Sequence, residues 1–211
     1  MSLNKKTELV CSRCRKVFPF IVWDCVDTLT SPFMKEAVLN GSAFTACCPS
    51  CGKKEYVDYD MCYFDPEKNL DLRLAVSSEA LAEFSGCFDL KDENCIFRVV
   101  QSRRALQEKI NIFERGLDDR IIEFIKHISS IPILVRHPAC ELEVYYSGEG
   151  RKHFLEFYKD GEEYCISKMS MRQYTECCRM FEMRVNSLFD DGPFIDSEWV
   201  DSLLVPAGME F

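Results

Sequence analysis

Alternating apolar and polar residues along the chain predict several short β-strands. Residues 7–10 form one such run, and Val17 to Asp27 form a longer one that is rich in phenylalanine, valine and isoleucine. Residues 56–76 alternate on both sides of a proline-containing turn at 65–69, so they predict a hairpin. Cys95 to Gln101 predicts one more strand.

Apolar positions that recur every three or four residues predict helices elsewhere in the chain. The longest such pattern runs from about Arg103 to Ser129 and predicts a single amphipathic helix, with Gly116 marking a kink. A shorter helix is predicted after Ser31, which would be its N-cap residue. Pro32 would take the first helical position, and Gly41 would end the helix.

The C-terminal part of the chain predicts a small unit of three strands and a helix. Proline residues separate it from the long helix, and we place a boundary near residue 136. The predicted strands are 140–146, 153–159 and 162–167, the helix is 170–188, and a short segment with Trp199 closes the chain. Asp160-Gly161 is a hairpin signal between the last two strands.

Two Cys-x-x-Cys pairs stand between the predicted strands of the first half: Cys11 with Cys14, and Cys48 with Cys51. Two thiolates two residues apart in a tight turn can face one ion, while the N–H groups of the turn point at the sulfurs. Two such turns supply four thiolates in a tetrahedron, an arrangement that suits zinc. The spacing therefore predicts one structural zinc ion on these four cysteines.

Iron is the competing metal, because Cys-Pro-x-Cys-Gly also resembles the second metal-binding turn of rubredoxins, which carry electrons through iron held by four thiolates. The first pair lacks the glycine that rubredoxins have after the second cysteine, and Arg15 stands there instead. The chain is also far longer than such a carrier requires. A thioredoxin-like redox pair is disfavoured, because both pairs lead into a strand pattern rather than opening a helix.

The other nine cysteines, including the neighbours Cys177 and Cys178, are scattered along the chain. An odd total of thirteen cannot pair fully within one chain, and the polar N-terminus is not that of a signal peptide. We therefore expect a reducing, cytoplasmic location, in which a scattered cysteine behaves as a small buried hydrophobe.

These elements predict an α+β fold with two regions. Residues 1–135 would be the metal-binding domain, a zinc-ribbon-like β module with two knuckles (the two cysteine turns) followed by the long amphipathic helix. Residues 136–211 would be a small C-terminal α+β region of order ββ-β-α.

The motifs of the first region resemble those of the CpXC domain proteins of bacteria and archaea. The resemblance rests on the two cysteine pairs and their long separation, and it covers roughly residues 8–130. It includes the insert Ser31–Gly41, the stretch Tyr63–Lys68 and the helix from Glu108 to Arg120. The first pair reads Cys-Ser-Arg-Cys, without the proline of the pattern that names the family. The resemblance implies that all four cysteines are metal ligands, and it implies no activity.

Charge is distributed unevenly over the chain, whose formal net charge is −9. Residues 1–54 carry eight basic and four acidic side chains, so their net charge is +4 and that of the remainder is −13. Five basic residues cluster at the predicted knuckles, where they would offset the charge of a zinc–thiolate centre: Arg13, Arg15, Lys16, Lys53 and Lys54. Because this basic cluster is small, we expect no strong nucleic-acid binding.

No catalytic constellation is apparent among the titratable residues. The three histidines stand in no recognisable nucleophile setting, and we expect surface or capping roles for His127, His137 and His153. Asp58 and Asp60 would share one face of a strand, as paired catalytic carboxylates do, but we expect that face to lie in water. Asp118-Asp119-Arg120 would lie on a solvated helix face. An enzyme that uses Asp58, Asp60 or Asp119 is a third class of function, with no support beyond these acidic residues. The chain also has no window of 18 uncharged apolar residues, so we expect no membrane partner.

The sequence thus favours a non-enzymatic, zinc-binding adaptor whose partner is another protein. A nucleic-acid-binding zinc ribbon and a rubredoxin-like iron carrier are the alternatives. The pattern does not determine an oligomeric state.

Overall fold

The computed structural model describes residues 1–184 and 192–204. These residues form two compact units, Met1–Gln107 and Glu108–Phe211, which we call the first and second units. The predicted mixed α+β class is confirmed, since the described residues form six α-helices and three β-sheets. No described helix has both the length and the apolar character that crossing a lipid bilayer requires.

A five-stranded sheet dominates the first unit. Its strands are β1 (Leu3–Val10), β2 (Val17–Asp27), β5 (Met61–Asp65), β6 (Leu70–Leu74) and β7 (Ile96–Val100). They lie in the order β1-β2-β5-β6-β7, with antiparallel pairing in the two hairpins β1–β2 and β5–β6 and parallel pairing at the other two junctions. The strand predicted from Val17 to Asp27 has the same bounds in the structure.

The β5–β6 hairpin shows why the alternating pattern predicted strands correctly. Met61 and Tyr63 of β5 are fully buried, as are alternate leucines of β6, so one face of each strand lies in the core. The predicted turn is a short 3-10 helix, Pro66–Lys68, which ends at Asn69 in the left-handed conformation with φ 50°. The hairpin is shorter than the predicted 56–76, because residues 57–60 form no strand.

Two further strands and two α-helices also belong to the first unit and precede residue 103. Strands β3 (Thr45–Cys47) and β4 (Lys54–Tyr56) pair with each other in a separate two-stranded sheet. Helix α1 (Phe33–Leu39) was predicted, whereas helix α2 (Ser78–Gly86) was not. The N-cap prediction for α1 was wrong: Pro32 takes that position, and the Ser31 carbonyl accepts the Met34 N–H at 3.0 Å.

The predicted single helix from Arg103 to Ser129 is wrong, because the chain forms two helices there, α3 (Arg103–Glu114) and α4 (Asp119–Arg136). Gly116 has φ 65° and ends α3, since its N–H reaches the Phe113 carbonyl at 3.1 Å and the Leu117 N–H reaches the Ile112 carbonyl at 3.1 Å.

Helix α4 begins directly after this break, where the Asp118 carboxylate accepts the backbone N–H of Arg120 at 2.9 Å. The helix then continues past Ser129, with Pro132 inside it, and ends at Arg136. Three residues thus carry both the stop signal of one helix and the start signal of the next.

The second unit contains a three-stranded antiparallel meander, β8 (Leu142–Glu149), β9 (Lys152–Lys159) and β10 (Glu162–Met169), in the order β10-β9-β8. Asp160 and Gly161 have φ 54° and 82°, as a two-residue hairpin turn with both central residues left-handed requires.

Two more helices follow the meander, α5 (Met171–Arg184) and α6 (Ser197–Leu204), and the second of these contains Trp199. Residues 185–188 of the helix predicted at 170–188 lie outside the described residues. The predicted domain boundary at residue 136 stays a prediction. The two compact units divide between residues 107 and 108. That division reflects how the chain packs in space, whereas the predicted boundary rests on the proline residues in the sequence.

Four charged side chains are buried together inside the second unit, and a fifth, Lys126, lies beside them with 12% of its side chain exposed. Lys109 Nζ lies 2.9 Å from Asp119 Oδ2 and 3.3 Å from Glu123 Oε1, and it donates to the Ile195 carbonyl at 2.7 Å. Lys126 Nζ lies 2.9 Å from Glu123 and 3.0 Å from Glu108.

Burial and ion pairing act in opposite directions on this network. At Lys126 desolvation lowers the pKa, but Glu108 and Glu123 together raise it. The Asp119 side chain is only 1% exposed, so the predicted solvated helix face is wrong for that residue. Desolvation raises the pKa of Glu108 despite the neighbouring lysines. Charges this deep are tolerated because each lies against an opposite charge or a hydrogen-bonding group.

We predict that Lys109→Met lowers the free energy of unfolding of the second unit by about 3–5 kcal/mol, because it leaves buried carboxylates without their cation. Arg172→Met is the matched control, since it removes the cation of an exposed ion pair with Glu176 and should change little. Denaturant unfolding of the three proteins measures the effect. Equal stability losses in the two variants would contradict the structural importance of the buried network.

Candidate metal centre

The first cysteine pair lies in the turn of the β1–β2 hairpin, in residues 11–16, which we call the first knuckle. The Cys11 N–H donates to the Lys16 carbonyl at 3.0 Å, and the Arg15 N–H donates to the Cys11 carbonyl at 2.9 Å. These two bonds close the turn and bring both thiols to its inner side.

The second pair lies in an equivalent turn between β3 and β4, residues 48–53, which we call the second knuckle. The Cys48 N–H donates to the Lys53 carbonyl at 2.9 Å, and the Gly52 N–H donates to the Cys48 carbonyl at 2.9 Å. The two knuckles therefore repeat one hydrogen-bond pattern at the same sequence offsets.

Both knuckles place the residue after their second cysteine in the left-handed conformation, with φ 61° at Arg15 and 70° at Gly52. Glycine adopts this conformation freely, whereas another residue pays roughly 1–2 kcal/mol for it. The missing glycine of the first pair therefore does not change the turn. Other interactions of the first knuckle offset the energetic cost of the left-handed conformation at Arg15.

The two turns face each other, so that the four sulfurs form one cluster. Cys11 Sγ lies 3.5 Å from Cys51 Sγ, Cys14 Sγ lies 3.6 Å from Cys48 Sγ, and all four lie within 4.8 Å of one another. A tetrahedral ion with metal–sulfur bonds of about 2.3 Å separates its sulfurs by about 3.8 Å. All thirteen cysteines are free thiols. The four predicted ligands thus lie together and could hold a metal ion.

The knuckle backbone affects the ionisation of the cluster. The backbone N–H of Cys14 makes the largest contribution to the pKa of the Cys11 thiol and lowers it. Desolvation raises this pKa, the Arg13 N–H lowers it further, and the net result is a pKa of about 7. At Cys51 the Lys53 N–H favours the thiolate, but desolvation and the three neighbouring sulfurs together raise the pKa to about 12. Ionisation of all four thiols is therefore unfavourable unless a cation compensates their charge.

A small apolar core supports the cluster on its inner side. Cys11 and Cys48 are fully buried beside Phe18 of β2 and Ala46 of β3, while Cys14 and Cys51 are half-buried at the edge of this core. The cysteines thus belong to a rigid scaffold rather than to free loops, which favours a fixed coordination geometry.

Glu55 on β4 links the two knuckles, and sequence analysis did not single it out. Its carboxylate accepts the Ser12 backbone N–H at 3.3 Å and also the Ser12 hydroxyl. The hydroxyl hydrogen bond is the largest cause of the lowered pKa of Glu55, followed by that of the N–H. The available sequence signal was an acidic residue directly after the basic pair Lys53-Lys54.

The two aspartates considered as a catalytic pair are held apart in separate roles, so their placement on one strand face was wrong. Asp58 forms an ion pair with Arg103. Asp60 accepts the N–H groups of Val76 and Ser77 at 2.7 and 2.9 Å and the Ser77 hydroxyl at 2.8 Å, and it thereby fixes the start of α2.

The histidines and Asp65 also have partners inside their own units. His127 Nδ1 lies 3.3 Å from Asp201, His137 is the C-cap residue of α4, and His153 Nδ1 lies 2.6 Å from the Tyr146 hydroxyl. Burial, and secondarily Arg115, lowers the pKa of His153. The Asp65 carboxylate is 1% exposed and lies 2.7 Å from Lys35 Nζ.

A family model described as CpXC protein matches residues 9–126, which is more than half of the chain. The chain therefore belongs to the CpXC protein family. The match includes both knuckles, and it spans the four cysteines. Comparisons with curated proteins and with solved structures give no significant match.

We predict that Cys48→Ser abolishes metal binding and unfolds much of the first unit, because structural thiolate sites contribute folding energy on the order of 10 kcal/mol in zinc-finger peptides. Cys47→Ser is the matched control, since Cys47 is the adjacent residue, is exposed and lies outside the cluster. Cys177 is a poorer control because it is buried in the core of the second unit.

Thermal unfolding and metal titration of the two variants measure the difference. A Cys47→Ser protein as unstable as Cys48→Ser would show that the knuckle tolerates no substitution there, whether or not the sulfur is a ligand. That result would remove the evidence for a metal-specific effect.

Proposed function

We propose that this CpXC protein is a cytoplasmic, non-enzymatic adaptor that binds another protein and whose first unit is held together by one structural zinc ion. The observation that carries the proposal is the cluster of four sulfurs at the facing tips of two knuckles. The protein supplies all four ligands of a tetrahedral ion, so no coordination position is left for a substrate or a reactive water.

Zinc is the metal that we propose, although iron would fit the same donor set. Zinc binds such divalent sites more tightly than ferrous iron does. The rubredoxin-like alternative rests on the second pair, Cys-Pro-x-Cys-Gly. A protein loaded with iron, with the visible absorption of a ferric thiolate centre and a reversible one-electron couple, would be the electron carrier instead.

We propose no enzymatic role for this protein, and the partners of the candidate catalytic acids support that part of the proposal. Asp58 is paired with Arg103, Asp60 fixes the start of α2, and Asp119 is buried against Lys109. Each of these carboxylates therefore has a structural task. General acid–base chemistry would require one of them to reach a substrate proton.

The first knuckle offers a binding surface that the metal would orient. Val10 and Val17 are cross-strand neighbours at its base and are 59% and 58% exposed. Three exposed basic residues stand on the turn between them, Arg13, Arg15 and Lys16. An apolar pair beside a basic turn suits a protein segment that carries both apolar and acidic side chains. A nucleic acid would use only the basic residues, against a net charge of −9.

Site-specific photocrosslinking in cells tests the adaptor role. We expect a photoreactive residue at Val17 to give discrete protein adducts, and the same residue at Leu90, which is 84% exposed on the same unit, to give none. The Val17 adducts should disappear when Cys48→Ser removes the metal ligand. Adducts that are destroyed by nuclease would identify the zinc ribbon as a nucleic-acid binder. Equal labelling from Val17 and Leu90 would contradict a specific surface at the knuckle.

A further inference from the structure

Strand β10 is an open edge of the three-stranded sheet in the second unit. Within the described residues it pairs with β9 on one side and has no strand neighbour on the other. Seven of its eight residues are exposed, including Tyr164 at 43% and Ile166 at 55%. An uncovered edge of this length presents a row of backbone donors and acceptors that can pair with another strand.

The opposite edge of the same sheet is better protected. Most residues of β8 are buried or half-buried, and Val144 and Tyr146 of β8 belong to the apolar cluster that also includes Ile121 and Ile125 of α4. Within the described residues, side chains of β8 thus pack against α4, whereas most of those of β10 remain exposed. In this described part of the chain, β10 is therefore the edge that is better placed to pair with a further strand.

The side chains of β10 are arranged symmetrically about Ile166. Ile166 lies opposite Glu156 of β9, while Glu163 lies opposite Tyr158 and Lys168 lies opposite Phe154. Opposed residues of antiparallel strands share a face, so Glu163, Ile166 and Lys168 all lie on one face of the sheet.

A β-bulge makes this arrangement symmetric. The register with β9 shifts between Glu163 and Cys165, so Tyr164 is the extra residue of the strand. With this residue discounted, Glu163 and Lys168 stand two strand positions from Ile166, in opposite directions. In the part of the chain that the structure describes, neither Glu163 nor Lys168 forms an ion pair.

We propose that β10 is a self-association edge, at which a second copy of this chain pairs its own β10 in the antiparallel direction about a two-fold axis through Ile166. Ile166 then meets its symmetry mate. With Tyr164 left out of the new ladder, as it is left out of the ladder with β9, each Glu163 lies opposite the Lys168 of the other copy. Two three-stranded meanders become one continuous six-stranded sheet. The two-fold axis repeats the charge pair, so the edge is complementary to itself.

Self-complementarity is what selects a second copy as the occupant. An unrelated strand could satisfy the backbone of the edge, but only a strand with an acid and a base in mirrored positions also satisfies both charges. The contact is small for a protein interface, so the dimer should be weak, populated near about 100 µM protein and dissociated near about 1 µM.

Sedimentation equilibrium of the full chain with reductant present, over that concentration range, tests the proposal. We expect the wild-type mass to rise from that of a monomer to that of a dimer. Glu163→Lys and Lys168→Glu each put like charges opposite each other twice, so each should raise the dimer dissociation constant about tenfold. The double variant restores both pairs with reversed signs and should recover wild-type association.

Glu149→Lys and Lys152→Glu are the matched controls, because both residues are exposed on the same sheet away from β10, and they should associate as the wild type does. A wild-type protein that stays monomeric over the whole range would overturn the proposal. So would a dimer that is insensitive to the single variants, or one that the double variant fails to restore.

Discussion

The first unit depends on one constraint: four sulfurs must approach one another to within a few ångströms at the tips of two separate turns. The turns come from hairpins that are far apart in sequence, with 33 residues between Cys14 and Cys48. Thiols at this distance repel one another when ionised, so a bound cation would make the approach favourable. Among the described residues, a small apolar core and the hydrogen bonds of Ser12 to Glu55 also hold the knuckles together.

The consequences of that constraint extend beyond the cluster. The first knuckle leads directly into β2, whose far end pairs in parallel with β5 and so joins the two hairpins of the main sheet. The second knuckle fixes β3 against β4. A metal ion at the cluster would thus act on the chain as a cross-link that closes a long loop, which restricts the unfolded chain more than the folded one. In the second unit, by contrast, a buried network of charged side chains joins helices α3 and α4.

Much of this architecture could be predicted from local patterns, because the strands bury alternate residues and the cysteine spacing encodes the knuckles directly. Val17 to Asp27, the β5–β6 hairpin and the turn at Asp160-Gly161 are of this kind. The break between α3 and α4 was missed because the apolar period continues across it. Gly116 was the signal that ends α3 and Asp118 the signal that begins α4, but the prediction gave more weight to the repeat of apolar residues.

Other features could not be predicted because they depend on long-range contacts. The burial of Asp119 requires Lys109 from the preceding helix, and the separate roles of Asp58 and Asp60 require Arg103 and Ser77. The left-handed conformation of Arg15 was also unexpected. It arises because the first knuckle has the same turn geometry as the second, in which Gly52 takes this position. Sequence patterns predict which face of a helix or strand is buried, but they predict poorly which charged side chains form ion pairs with one another.

The decisive measurement is native mass spectrometry of the full chain, because it reports the identity of any bound metal, its stoichiometry and the number of protons that it displaces. The account predicts one zinc ion per chain in the folded protein, together with the loss of thiol protons that four cysteine ligands require. It also predicts that chelation of the metal shifts the charge-state distribution to that of a partly unfolded chain. A metal-free protein with the compact charge-state distribution of the folded state would contradict the account.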